Sequence, residues 1–257
     1  MVDPRLQARI EAYYRAFNAR AEEAYLACFR PDGAVGGTLT GRPVPGVGVQ
    51  KAILRTASGG MGDLMMSPRA LYQAQSEVAV AWEGEVRAPS GARTPVHGLS
   101  LFAFDEDAKI QMAQVFWNPQ PLTGIGPTQA TGVDAGHRRV IEAYFRHFNA
   151  RDWTAIGGLF AEEGSFGGTL AGSGLRGEAS LRGIYESAVT RFPGICMRPL
   201  EAFQAQAEVA VQWEGEAQGW DGIPQPIQGI AIFRFTEAGK IERYRIYWDP
   251  RPLFQEA

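Results

Sequence analysis

The chain of 257 residues is poor in the features that announce most specialised functions. Two cysteines, Cys28 and Cys196, are too few for a disulfide-stapled scaffold. Both stand at positions where a second, similar stretch of the chain carries an apolar residue, Leu159 and Met65 respectively. That predicts two buried, reduced thiols in a cytoplasmic protein. The three histidines, His97, His137 and His147, show no ligand-like spacing to cysteines or carboxylates, so no metal site and no cofactor are expected. Net charge is only −3 and no run of lysine and arginine stands out, which leaves out the electrostatic footprint of a nucleic-acid binder. No apolar stretch approaches the roughly 18 residues of a membrane span, and the opening MVDPRLQARIEAYYRAF is charged and helix-patterned rather than leader-like.

What the chain does have is repetition. IEAYYRAFNAR (10–20) returns as IEAYFRHFNAR (141–151), and QAQSEVAVAWEGE (73–85) as QAQAEVAVQWEGE (204–216). VFWNPQPL (115–122) returns as IYWDPRPL (246–253), at the same offset of 131 and without a gap. A period this long means two copies of a domain rather than a solenoid, whose units run at roughly 20–50 residues. The expected division is 1–122, a linker over 123–136 (TGIGPTQATGVDAG), and 137–257.

Within one copy, Ile10, Tyr13, Tyr14 and Phe17 recur at helical spacing and give a first helix with an apolar stripe. A second short helix is expected over 21–29 and 152–160, where Asp152 is a fair N-cap and Ala21 a poor one. A third is expected near 46–57 and 177–190. The remainder reads as strands. Val78, Val80 and Trp82 alternate with Ala79, Ala81 and Glu83, and turn-formers such as APSGARTP (88–95) separate the runs, indicating antiparallel hairpins. Helices first and strands after is an α+β pattern.

The run Y-x₃-F-N-A-x-D, LF-A-E-E-G, G-E-A-x-L-R-x-x-Y, V-A-V-x-W, F-x-F-x-E-x-G-K-I and Y-W-D, in that order along 144–249, resembles the SnoaL-like polyketide cyclases and their ketosteroid isomerase and nuclear transport factor 2 relatives. The resemblance implies two cone-shaped domains, each a curved antiparallel sheet wrapped over about three helices around an apolar pocket. It also implies an intramolecular pseudo-dimer, with further self-association open. It implies cofactor-free acid–base chemistry of the cyclase or isomerase type on an apolar, polyketide- or terpenoid-like molecule. A non-catalytic hydrophobic-ligand binder and an epoxide-hydrolase-like ring-forming enzyme are the alternatives, with an interaction scaffold behind them.

Carried over by position, the isomerase's oxyanion-stabilising tyrosine is Tyr13 in one copy and Tyr144 in the other. Its proton-shuttling aspartate falls on Gly37 and Gly168, and its protonated acid on Ser100 and Ala231. Both acids are therefore missing, which disfavours steroid isomerisation. The acidic end of the Y-W-D strand, Asp249, resembles the general acid/base carboxylate of SnoaL-type cyclases and stands opposite Asn118.

Strand alternation, given such a fold, turns Trp82, Gly84, Ser100, Phe102, Val115 and Trp117 toward the first interior. It turns Trp213, Gly215, Ala231, Phe233, Tyr244, Ile246 and Trp248 toward the second. Aromatic walls of this kind suit an apolar small-molecule partner, or they simply fill two cores. His147 replaces Ala16 three residues after Tyr144, and i, i+3 positions are neighbours on a helix, which makes it a candidate base. Tyr244 replaces Ala113 and adds a hydroxyl. These exchanges make the second pocket the expected reactive one, with Tyr144, His147, Asp249 and Tyr244 as its chemistry and Tyr13 as the counterpart in the first. His97, Glu83, Glu85, Glu214 and Glu216 fall on the outer phase of their strands, where salt links are the expected role.

Overall fold

The computed structural model describes residues 1–57, 63–123, 132–219 and 221–254. The chain forms two compact units, one built on Met1–Gly132 and the other on Val133–Ala202 with Ala207–Ala257. Most of the expected linker, 124–131, lies outside the described residues.

In the first unit, helix α1 (Pro4–Asn18) starts where Asp3 accepts a hydrogen bond from the Arg5 backbone N–H at 2.7 Å and proline takes the first helical position. Helix α2 (Glu22–Leu26) is a single short turn. Strands β1 (Phe29–Gly37) and β2 (Gly41–Pro45), helix α3 (Val47–Thr56) and strands β3 (Asp63–Ala74), β4 (Glu77–Arg87), β5 (Arg93–Phe104) and β6 (Ile110–Trp117) follow. A one-turn helix, α4 (Gln120–Thr123), closes the unit. The strands form one six-stranded sheet in the order β2-β1-β6-β5-β4-β3.

The second unit repeats this arrangement with α5 (Ala135–Asn149), α6 (Trp153–Gly157), β7 (Phe160–Gly168), β8 (Gly172–Arg176), α7 (Glu178–Arg191), β9 (Cys196–Ala205), β10 (Glu208–Gln218), β11 (Pro224–Phe235) and β12 (Ile241–Trp248). Its sheet order is β8-β7-β12-β11-β10-β9. Asp134 and Asp152 cap α5 and α6 through backbone N–H groups at 2.8 Å and 3.0 Å.

The sheets are mixed rather than purely antiparallel. β1 pairs with β6 in parallel, as β7 does with β12, while the described hairpin pairings are antiparallel. The parallel pairing places β1 beside β6, and β7 beside β12, next to the short edge strand of each sheet. Among the described residues no helix is long and apolar enough to cross a membrane.

Each opening helix lies with its apolar stripe on its own sheet. Ile10, Tyr13, Tyr14 and Phe17 are buried in the first unit, and Ile141, Tyr144, Phe145 and Phe148 in the second. The asparagine after each stripe fixes the distance to the sheet edge. Asn18 donates to the Met66 carbonyl at 2.7 Å and accepts from the Met66 N–H at 2.9 Å. Asn149 does the same with Met197 at 2.8 Å and 2.9 Å. Two orphan backbone groups are thereby satisfied by one side chain in each unit.

Candidate functional site

Most residues of the expected inward phase join one core cluster in each unit, while Leu99, Leu101, Phe116, Ile230, Ile232 and Tyr247 of the opposite phase are buried as well. Trp82, Ser100, Phe102 and Trp117 are buried in the first unit, and Trp213, Ala231, Phe233, Tyr244, Ile246 and Trp248 in the second. Tyr13 and Tyr144 are 1% exposed, so both phenols point inward from their helices. The indoles meet edge to face, Trp82 on Trp117 at 6.1 Å and Trp213 on Trp248 at 6.2 Å between ring centres.

In the first unit Tyr13 and Trp117 border a cavity of about 30 Å³, whereas Trp82, Ser100 and Phe102 are not among its lining residues. Its lining is Tyr13 and Phe17 from α1, Val35 and Gly36 from β1, Leu39 and Thr40 from the β1–β2 turn, Ile53 and Ala57 at α3, Leu64 and Met66 from β3, and Val115 and Trp117 from β6. The lining carries no ionisable group other than the Tyr13 phenol. Thr40 adds a hydroxyl whose oxygen is shielded from solvent and has no hydrogen-bond partner among the described residues.

Burial raises the Tyr13 phenol to about 12, because the anion would lose its hydration in an apolar wall. Tyr25, from α2, stands 5.3 Å from Tyr13 between ring centres, and the two phenols act on each other's ionisation. Tyr14 donates to Ser100 Oγ at 3.3 Å. A neutral phenol of this kind donates a hydrogen bond to an oxygen; it does not remove a proton from carbon at neutral pH.

The second unit differs at the same place. Phe166 stands where the first has Val35, Tyr185 where it has Leu54, and Tyr244 where it has Ala113. In the sheet, Ala113 lies between Val35 and Phe102, and Tyr244 between Phe166 and Phe233. The Tyr244 ring is 4.6 Å from Tyr144, 4.7 Å from Phe233 and 5.2 Å from Phe166. Tyr185 lies 6.3 Å from Tyr144 and 5.5 Å from Phe166. Burial holds all three phenols well above the usual tyrosine range.

The second interior, expected to be the more polar and reactive one, is the more crowded beside its tyrosine. Tyr244 adds a ring into the space that Ala113 leaves, and the exchanges at 35/166 and 54/185 add two more large side chains. His147 does not join Tyr144. Its Nδ1 faces Asp152 Oδ2 at 3.7 Å, at the start of α6 on the helix flank. Asp249 does not reach the core either. Arg251 Nε donates to its Oδ1 at 2.7 Å and the Arg251 backbone N–H at 3.0 Å, and this partnership lowers the carboxyl below its usual range. The second cysteine is also corrected. Cys28 is buried, whereas Cys196 is exposed at the start of β9.

Other expectations hold. Gly37 and Gly168 have φ of +125° and +124°, and a Cβ added there would lie 2.0 Å from the carbonyl oxygen of Val115 or Ile246. The backbone itself bars an aspartate from both positions. Glu83 pairs with Arg69, and Glu214 with Arg198, across neighbouring strands, and His97 is exposed.

Tyr14, Tyr25, Thr40 and Tyr185 were missed in the sequence. The signal was present in the repeat: Tyr14/Phe145 changes together with Ser100/Ala231, so a hydrogen-bonded pair in one copy is an apolar pair in the other. Replacing both partners at once leaves no orphan behind.

The model of the SnoaL-like domain matches twice, over residues 10–112 and 141–244. The chain belongs to the SnoaL-like family. Solved structures share the fold of each half at low identity. TerC, co-crystallised with polyporic acid, is 17% identical, with 46% of this chain and 95% of that chain covered and a TM-score of 0.43. Rv0760c of Mycobacterium tuberculosis, in complex with estradiol-17beta-hemisuccinate, is 18% identical over 45% of this chain and 95% of that one, TM-score 0.40. SalBIII, an epoxide hydrolase/cyclase-like enzyme of pyran ring formation in salinomycin, is 24% identical over 44% and 90%, TM-score 0.39. No curated protein matches.

Proposed function

We propose that the first half of this SnoaL-like protein holds a compact apolar molecule against Tyr13. The observation that carries the reading is the cavity between α1, β1, β6 and α3, whose wall is apolar apart from the hydroxyls of Tyr13 and Thr40. Such a wall recognises shape and one oxygen atom. It supports ligand binding, with the phenol polarising a carbonyl or hydroxyl, better than acid–base turnover by an ionised side chain.

The cavity is far smaller than the roughly 300 Å³ of an occupied small-molecule pocket. Helix α3 is the element best able to make room. Its N-cap, Gly46, supplies no side-chain hydrogen bond, and Gln50 and Leu54 are its buried residues. On its outer side it is tied by Lys51 and Arg55 to Glu22, and exposed ion pairs of this kind hold an element weakly. Outward movement of α3 would enlarge the cavity on the Ile53 and Ala57 side.

The test is extraction of the purified protein and mass spectrometry of what it retains, in the wild type and in Ala113→Tyr. The reading expects a hydrophobic compound bound to the wild type and lost from the variant. The same compound at equal occupancy in both, or none in either after exposure to an apolar metabolite library, would overturn it. Conversion of the retained compound by the wild type, abolished in Tyr13→Phe, would promote the binder to an enzyme of the cyclase or isomerase type.

A further inference from the structure

Resting on that reading of the first half, we propose that Tyr244 closes the corresponding chamber of the second half, so that the chain takes its apolar ligand at one site rather than two. The argument is geometric. Positions 113 and 244 are the same point on the same sheet, between the same neighbouring strands. In the first half the alanine there is the sheet neighbour of Val35, which lines the cavity together with Tyr13. In the second half a tyrosine there is fully buried and packs on Tyr144, Phe233 and Phe166 at 4.6–5.2 Å.

The closure is a coordinated exchange. Larger residues enter at 166, 185 and 244, while the helix-side ring of Tyr25 gives way to Ile156. On the same short helix Glu22 gives way to Trp153, whose ring stacks on Tyr185 at 5.5 Å. The apolar part of the wall persists, as in Tyr13/Tyr144, Phe17/Phe148 and Trp117/Trp248, while Thr40 gives way to Ala171. Because the wall persists behind the ring, the second half retains the surface that would bind the same class of ligand. Deleting the ring should expose it, as core truncations lined by apolar side chains open cavities that take small aromatics.

Ring size is the operative property, not the hydroxyl. The Tyr244 and Tyr185 hydroxyls lie beside the Tyr144 hydroxyl and act on one another's ionisation, so Tyr244→Phe separates the ring from its hydroxyl.

The experiment is titration of the full chain with toluene, followed by NMR of the tryptophan indole N–H groups. Trp117 reports the first chamber and Trp248 the second. Wild type and Tyr244→Phe should shift Trp117 and leave Trp248 in place. Tyr244→Ala should shift both, with a second equivalent of toluene bound. Tyr244→Val, a milder truncation, serves if the alanine variant does not fold. The reciprocal Ala113→Tyr should lose the Trp117 response. Wild-type shifts at both indoles, or folded Tyr244→Ala and Tyr244→Val that respond only at Trp117, would overturn the proposal. A wild type that responds at neither indole, with Tyr244→Ala responding at Trp248, would sink the reading of the first half and leave the closing role of Tyr244 standing.

Discussion

The two halves share a backbone and differ in what fills it. Both bring a tyrosine inward from the first helix, both pin that helix to β3 or β9 through an asparagine, and both cross two tryptophans at the wide end of the sheet. Yet one leaves a cavity beside its tyrosine, and the other sets the rings of Tyr244 and Phe166 on that side of the core. A fold of this family supplies the walls. Three or four side chains then decide whether the walls enclose a site or a core.

The largest effect should appear where the halves agree. Gly37→Asp, and Gly168→Asp likewise, should each destabilise the protein by about 3 kcal/mol or more. The new Cβ meets a backbone carbonyl and the φ is left-handed. Denaturant unfolding would show it, and a loss below about 1 kcal/mol would mean that the strand can relax. Restoring the isomerase aspartate would then become a realistic route to activity.

The next effect should split the halves. Tyr244→Ala should cost about 3 kcal/mol, by analogy with large-to-small core substitutions. Ala113→Tyr, its mirror image, should cost less, at the low end of the roughly 1–3 kcal/mol of overpacking, because the ring is buried beside a cavity of only about 30 Å³. If the two losses are equal, the first half has no more room than the second and the comparison breaks.

A third, moderate effect is on pH. Burial raises the Tyr13 phenol from 10.0 to about 12, and Tyr144, Tyr185 and Tyr244 move in the same direction. The folded state therefore keeps protons that the unfolded chain releases. This stabilisation is complete below pH 10 and is lost as pH rises from 10 through 12, by at most about 1.4 kcal/mol per pH unit for each phenol. Chemical denaturation at pH 9 and pH 11 measures it. Tyr13→Phe should flatten the slope by one phenol, and an unchanged slope would show that Tyr13 ionises freely.

The smallest effects should come from the ionisable residues that the sequence recommended. Asp249→Asn and His147→Ala should each change stability by within about 0.5 kcal/mol, as expected of partly exposed pairs, and should leave ligand retention at the wild-type level. A tenfold loss of retention from either would return the chemistry to the second half.

Much of the architecture was legible because its cues are local. The apolar stripe of α1, the alternation through Val78, Val80 and Trp82, and the repeat itself each sit within a short window. The parallel pairing of β1 with β6 was not legible, since it joins residues near 35 to residues near 113 and leaves no mark on either segment alone. Strand β3 was hidden by Pro68, where the register shifts before Ala70. The inward direction of Tyr13 and Tyr144 could be read from spacing. Whether they faced a cavity could not, because free volume is a sum over side chains from four or five elements. Helical spacing also misled for His147. Its position three residues from Tyr144 gave adjacency along the helix but not direction, and the imidazole turned to Asp152 instead.

Xenon diffraction tests the difference between the halves most directly, since the atom enters small apolar cavities without a designed fit. Crystals equilibrated under xenon should show a bound atom among Tyr13, Val35, Val115 and Trp117, and none among Tyr144, Phe166, Tyr244 and Trp248. Xenon in the second core, or equal occupancy in both, would contradict the account.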